Sequence, residues 1–432
     1  MRKRIVIMLS LTLAASIFTG CQSNTQSGAQ SNGQSTNQTN SESNSSANNQ
    51  SKSEGKLVVA ARGGSHVAAM EAVKAEFEQA HHAKIEIIGL EAADLKQKIS
   101  LDAKNKNGAY DLIMADDPWM PEFSEAGIFA NLSELGVEAD ADFEESSLAL
   151  GKHPYGTGDL YALPFSGNVQ LFFYNKQLLD SYSEEVPQSW EEVLEIANKV
   201  HAEGGLTGYV IRGQQGNPIV SDFLPIFWAY GGQVFDENWS AQVDSEAGRQ
   251  ALDTYSKLLA VGANYETTDI VSSVSEGRAA MALGWPSWFI TGETASAEYA
   301  PIPSKATADG QAASTGMIGN WMMGVTANSQ NQELAADFLS FITSSETQKK
   351  MVEHGGVPTR KSVYLDSELA AKYKHFPVQL EALQNSVARP RTAKWSRVEE
   401  ALGVELSAAI AGTKSIEAAL ADANEAINQI MQ

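Results

Sequence analysis

The feature that most narrows the fold is an alternation of two apolar periods. KLVVAA (56–61) is a continuous apolar run of strand length, and over 67–80 the residues Ala69, Val73 and Phe77 recur every fourth position, which lines up one helix face. IEIIGL (85–90) follows as a second strand, Leu95, Ile99 and Leu101 mark a second helix, and DLIMA (111–115) is a third strand. Strands separated by helices predict a mostly parallel, twisted sheet with helices on its faces. At the carboxyl end of the third strand, where α/β sheets hold ligands, stands MADDPWMPEF (114–123). Asp116 and Asp117 suit a helix cap and Pro118 a first helical turn, which leaves Trp119 without a structural reason.

Beyond a less regular region come two further apolar runs, LYALPF (160–165) and VQLFFYN (169–175). Ser189 opens a helix with Glu192 three residues on as a capping box, and Val193, Ile196, Ala197 and Val200 share its apolar face. The same reading predicts helices over 219–230, 246–261, 332–341, 395–411 and 416–431, with strands at RAAMALGW (278–285) and NWMMGV (320–325). In the last helix Ile416, Ala419, Leu420, Ala423, Ile427 and Ile430 form one stripe, so the chain ends docked on a core.

The amino terminus carries Arg2, Lys3 and Arg4, then an apolar run from Ile5 to Phe18, then Thr19, Gly20 and Cys21. A run of about 14 apolar residues is short for a membrane span and reads as an export signal. Small residues before a lone Cys are similar to the bacterial lipobox, in which the signal is cut and Cys21 is lipidated; Phe18 stands where that motif usually has Leu. Cys21 is the only cysteine, so intramolecular disulfides and cysteine-built metal sites are excluded. The segment 22–55 contains no aromatic or branched aliphatic residue and reads as a flexible leash. Folding material spans 56–432, more than one core usually serves, so two lobes are expected. The chain holds 31 basic and 53 acidic residues, and loss of the signal with its three basic side chains takes the net charge from −22 to −25. That balance argues against nucleic acid as a partner.

The residues give little to an enzyme. None of the seven histidines sits in a His-Glu-x-x-His spacing, Gly63 and Gly64 lack the glycine spacing of nucleotide loops, and no nucleophile elbow appears. A glycosidase needs only two carboxylates at the right separation, so that reading stays open. Tryptophans and tyrosines recur beside glycine, asparagine and proline at element ends: Trp119, Tyr230, Trp285 with Trp288, Trp321 and Trp395. Sugar C–H faces lie well on aromatic rings while hydroxyls want rigid polar partners, although each tryptophan singly is as well suited to a core.

The lipobox and leash, DDPW, GDLYALPF followed by FFYN, VPQSWEEVLEIA, EGRAAMALGW, GNWMMGV, GGVPTR and the closing WSRVEEAL with SIEAALADANEAI occur in one order. Together they resemble the sugar-binding proteins of ABC importers, the extracellular solute-binding group related to maltose-binding protein. The resemblance implies an α/β, two-lobed periplasmic-binding-protein-like (type II) fold with three hinge crossings, near 165–169, 317–325 and 363–376. Lobe 1 would be 56–165 plus 326–368, and lobe 2 166–325 plus 369–432, after a signal peptide at 1–20 and the lipidated, disordered 21–55. It further implies a monomer without cofactor or metal, lipid-anchored to the outer face of the cell membrane, that captures a sugar or polyol for permease subunits. A secreted carbohydrate-active enzyme and a surface adhesin are the rivals.

Carried over position by position, the resemblance places Ser65, His66 and Glu91 at the cleft after the first two strands, and Asp116, Asp117 and Trp119 after the third. Asn168 takes a hinge position where relatives often have an acidic residue. Tyr230, Trp285, Asn320 and Trp321 come from the second lobe, with Arg360 and Trp395 as further candidates. In DDPW, Asp116 is expected to cap the helix, Asp117 to accept ligand hydroxyls and Trp119 to stack.

Overall fold

The computed structural model describes residues 55–289, 297–307, 310–311 and 316–432. The expected signal peptide, Cys21 and the leash up to residue 54 lie outside the described residues, and Gly55 already opens the first strand. Two five-stranded sheets carry the fold. The first has the order Ala83–Leu90, Gly55–Arg62, Leu112–Asp116, Trp321–Val325, Leu163–Ser166. Its first three strands run parallel, as the strand–helix alternation predicts, and Trp321–Val325 pairs antiparallel with its two neighbours. The second has the order Ala297–Ala300, Leu171–Asn175, Ala279–Gly284, Thr207–Ile211, Ala263–Asn264.

Each sheet is covered by helices whose apolar faces follow from the sequence. Helix Ser65–His81 buries Ala69, Met70, Val73 and Phe77 on the first sheet. Helix Trp190–Gly204 buries Val193, Ile196, Ala197 and Val200 on the second. Its cap departs slightly from the expected box: Ser189 Oγ accepts from the Glu192 N–H at 3.2 Å, but the Glu192 carboxylate accepts from Gln188, one residue earlier than the box requires. Helices Trp395–Ile410 and Ile416–Met431 pack together on the second sheet's side, with Trp395, Leu402, Leu420 and Ile427 in one core with Trp190 and Phe223.

Three segments pass side by side between the sheets. The Gln170 N–H donates to Met317 and the Gly319 N–H to Asn168, both at 2.9 Å. The Val387 N–H donates to the Gly316 carbonyl at 2.9 Å, and the Val387 carbonyl accepts from the Ile318 N–H at 3.1 Å. Gly167 has a steric reason to be glycine, because a Cβ there would stand 2.0 Å from the Pro358 carbonyl oxygen.

The third crossing corrects the sequence expectation. It runs beside Met317 at Val387, not over 363–376. The stretch between is three short helices, Lys361–Tyr364, Ser367–Lys372 and Phe376–Gln384, which stay with the first lobe. Val363, Tyr364, Phe376 and Leu383 are buried there, and Ser146 in the first-lobe helix Glu145–Leu150 donates to the Leu383 carbonyl. The first lobe therefore extends to about residue 384 instead of 368. Strand Trp321–Val325 likewise belongs to the first sheet, so the second crossing ends at Asn320.

Candidate functional site

Between the sheets lies a cleft of about 1300 Å³. Its first-lobe wall is made by chain leaving strand ends. After Gly55–Arg62 come Ser65 and His66, after Ala83–Leu90 comes Glu91, and after Leu112–Asp116 come Asp116 itself and Trp119, with Trp321 opposite Asp116 in the sheet register. The second-lobe wall holds Arg212 and Gln214 after Thr207–Ile211, Asn217 and Ser221 from helix Asn217–Ala229, Trp285, Ser287 and Trp288 after Ala279–Gly284, and Glu399. Asn168, Gly319 and Arg389 come from the three crossings. Gly319 lets the Trp285 ring lie against the hinge, since a Cβ there would stand 2.3 Å from the indole.

Two aromatic corners face the cleft. Trp119 and Trp321 meet edge to face with centroids 5.6 Å apart, and Trp285 and Trp288 meet at 6.5 Å and 72°. His66 leans on Trp321 at 5.8 Å. Burial drives the His66 imidazole down to about 4, against a partly restoring backbone hydrogen bond at Gly63, so it is neutral at physiological pH.

Of the four lysine and arginine side chains that line the cleft, three are paired and one is not. Arg62 pairs with Glu91 at 2.8 Å, and Lys96 with Glu122 at 2.6 Å while also reaching Ser396 Oγ across the cleft. Arg389 is buried and bridges Asp116 and Asp117, while Arg391 donates to the second Asp117 carboxylate oxygen at 3.0 Å and to its carbonyl at 2.8 Å. Arg212 differs: its guanidinium lies over the Trp288 ring at 5.0 Å with no hydrogen bond or ion pair among the described residues. Burial lowers the Arg212 pKa, and the nearby Asp222 carboxylate pulls against that shift.

Neither aspartate stands as expected. Asp116 occupies the cap position but its side chain makes no capping hydrogen bond; it points to the cleft with Arg389 behind it. Asp117 has no exposed surface and cannot receive a ligand. Burial pushes its carboxyl up to about 6, with Arg389 and Arg391 holding the shift back.

Four more candidates lie away from the cleft. Tyr230 bonds Thr254 Oγ1 at 3.0 Å under Lys305. Asn320 is fully buried, its carbonyl accepting from the Asp117 N–H. Arg360 is consumed by Asp140 at 2.7 and 2.8 Å and by the Thr343 carbonyl at 2.6 Å, stacked on Phe143. Trp395 sits in the second-lobe core. The structure brings Ser65, His66, Glu91, Asp116, Trp119, Asn168, Trp285 and Trp321 together in one cleft. Sequence reasoning missed Arg212 and Arg389, and it named Trp288 among the aromatics without placing it at the cleft. The signal for Arg212 was its place after TGYVI, a strand the apolar pattern left unmarked. Among the described residues no group of three or more His, Cys, Asp or Glu side chains could hold a metal ion.

Two sheets joined by three crossings over an aromatic, polar cleft define a two-lobed solute-binding protein. The sequence profile of bacterial extracellular solute-binding proteins matches residues 63–349, and the chain belongs to that family. It is 26% identical over 394 residues to a probable amino-acid ABC transporter periplasmic-binding protein of Sinorhizobium fredii, covering 87% of this chain and 89% of that one. It is 23% identical over 412 residues to the mannitol-binding protein of Pseudomonas aeruginosa, covering 87% and 93%. A solved solute-binding protein of Agrobacterium radiobacter in complex with ribitol shares the fold with a TM-score of 0.79 at 23% identity, covering 87% of this chain and 98% of that one.

Proposed function

We propose that the chain is the substrate-binding component of an ABC importer, that it takes a sugar or polyol between its lobes, and that it hands the ligand to membrane permease subunits. The observation that carries this reading is the cleft itself, where aromatic corners on both walls alternate with fixed hydrogen-bonding groups. A carbon chain or ring bearing hydroxyls needs both: indole faces for its C–H side, and Asp116, Asn168 and Arg212 as acceptors and donors at its edge. A ligand touching both walls binds the closed arrangement better than the open one, and that difference in affinity drives closure. The ligand named for the mannitol-binding relative and the ribitol in the solved neighbour agree with a polyhydroxylated cargo. The chain acts as a monomer, without enzymatic turnover, held at the outer face of the membrane by lipid on Cys21.

The test is a thermal-shift screen of the full chain carrying Cys21→Ser against sugars, polyols and amino acids, with recovery of every hit. A ligand of the native state alone raises the melting temperature by mass action. A rise with a sugar or polyol recovered intact is expected; a consumed hit, or a rise with amino acids only, overturns the reading. Metabolic labelling with a palmitate analogue, lost on Cys21→Ser, checks the anchor.

A further inference from the structure

Arg389 is buried, charged and far in sequence from anything it touches, and capture of a ligand as described does not by itself require it. Its backbone belongs to the third crossing. Two residues earlier, Val387 is laddered to Gly316 and Ile318 of the second crossing, which is in turn bonded to Asn168 and Gln170 of the first. Its guanidinium leaves this hinge and reaches the end of the first-lobe strand. Nη2 donates to Asp116 Oδ1 at 2.9 Å and to Asp117, and Nη1 lies 3.5 Å from Asp116 Oδ2. Only 2% of the Arg389 side chain is exposed, against 18% for Asp116, whose open side is the cleft.

The geometry points to Arg389 as a positioning residue that ties the cleft carboxylate of Asp116 to the hinge, so that ligand capture and lobe angle are read by one group. This rests on the capture of a hydroxylated ligand proposed above. A carboxylate has about four lone-pair sites. Arg389 takes those on the hinge side and fixes the plane of the group, which leaves the remainder to the cleft that Trp119 and Trp321 also line. Charge-assisted, forked contacts of this kind hold orientation better than a lysine's point charge. Arg391 completes the attachment: it binds Asp117 and the Leu150 carbonyl, both first-lobe groups, just before the chain enters the second-lobe helix at Trp395. Rotation of the lobes therefore pivots on a segment whose side chain holds the ligand's acceptor. A ligand hydroxyl on Asp116 stiffens that connection, and a change in hinge angle moves Asp116 relative to Trp285 and Trp288 on the opposite wall.

The experiment uses the full chain with Cys21→Ser and spin labels at two exposed positions, Leu101→Cys on the first lobe and Val404→Cys on the second. Lobe separation is read by pulsed electron spin resonance with and without mannitol, ribitol or maltose as probes, and probe affinity is read by calorimetry. For Arg389→Lys, which keeps the charge and loses the fork, the expected result is a melting temperature within a few degrees of the parent, a broadened separation in the unliganded chain and affinity lower by about tenfold. Adding Asp116→Asn to that variant should lower affinity by less than about twofold more, because the two residues act as one unit. A folded Arg389→Lys chain with an unchanged distribution overturns the inference, as does unchanged affinity with full additivity. Should Arg389→Lys not fold, Asp116→Asn, which spares the Asp117–Arg391 pair, is held to the same criterion. If no probe binds, the unliganded distribution still decides the hinge role, while the silent panel counts separately against the sugar reading.

Discussion

Two buried aspartates, one in each lobe, have their carboxyls pushed up to about 6 by burial, and they use arginine in opposite ways. Asp117 takes the guanidinium groups of both Arg389 and Arg391. Asp222 takes the Arg212 backbone N–H at 2.6 Å and the Tyr255 hydroxyl at 3.4 Å, leaving the Arg212 guanidinium free to face the cleft over Trp288. In the first lobe the charge is spent on holding a turn and a hinge together. In the second the carboxylate only aims the backbone, and the cation stays available to a ligand. Residue type does not separate a supporting arginine from a recognising one; the acceptor it meets does.

The contrast is broken most directly at Asp117. Asp117→Ala leaves the buried Arg391 without a carboxylate and Arg389 with Asp116 alone, and urea unfolding should show a loss of about 3–5 kcal/mol. Asp222→Ala should cost about 1–3 kcal/mol, since it orphans one backbone donor and one hydroxyl; equal losses would show that the two aspartates do the same work. Trp395→Ala should remove about 3–5 kcal/mol of stability through a core cavity. Once corrected for folding, that variant should keep its ligand affinity.

A pH series sharpens the cleft side. His66 falls from 6.5 in the unfolded chain to about 4 in the native one, so the unfolded chain binds more protons between those values. Its stabilisation is complete above pH 6.5 and is lost as pH falls toward 4. Measured by urea unfolding, the stability of wild type minus His66→Gln should therefore grow by on the order of 3 kcal/mol from pH 4 to 7. Asp117 and Asp222 slope the other way in both proteins and cancel in that difference; a flat difference would show that His66 is not buried neutral.

The smallest effects are on affinity alone. Arg212→Met should weaken ligand binding by about 1.5–3 kcal/mol with little change in melting temperature. Trp119→Ala should weaken it by about 1–3 kcal/mol. If Arg212→Met unfolds the chain instead, the second arginine is as structural as the first.

Much of the frame was legible because periodicity is local. The strands at 56–61, 85–90, 111–115 and 320–325, and the late helices returning to the second lobe, carry their own apolar pattern. Trp119 was legible as a cleft residue because its position after a strand end is also local. The placing of Asp116 toward the cleft and of Asp117 in the interior was not, since which of two adjacent carboxylates faces the cleft depends on arginines more than 270 positions away. Arg360 and Trp395 stood in motifs of the right family but point into their own lobes, toward Asp140 and toward the second-lobe core. The third crossing was misplaced because three short helices at 361–384 give too few turns for a clear period.

The place of strand Trp321–Val325 bears on the order in which this protein can be made. It lies between Leu112–Asp116 and Leu163–Ser166, so the earlier strand keeps an open edge and the later one has no neighbour in its sheet until residue 325 is available. The second lobe waits longer, for the helices that end at Met431. A chain delivered amino terminus first can finish neither half before its last third has emerged, and the long loops that must close make the final pairing slow. Through that interval the polypeptide stays threadable, and a chain truncated before its last third exposes apolar edges that a protease or an aggregate would find first.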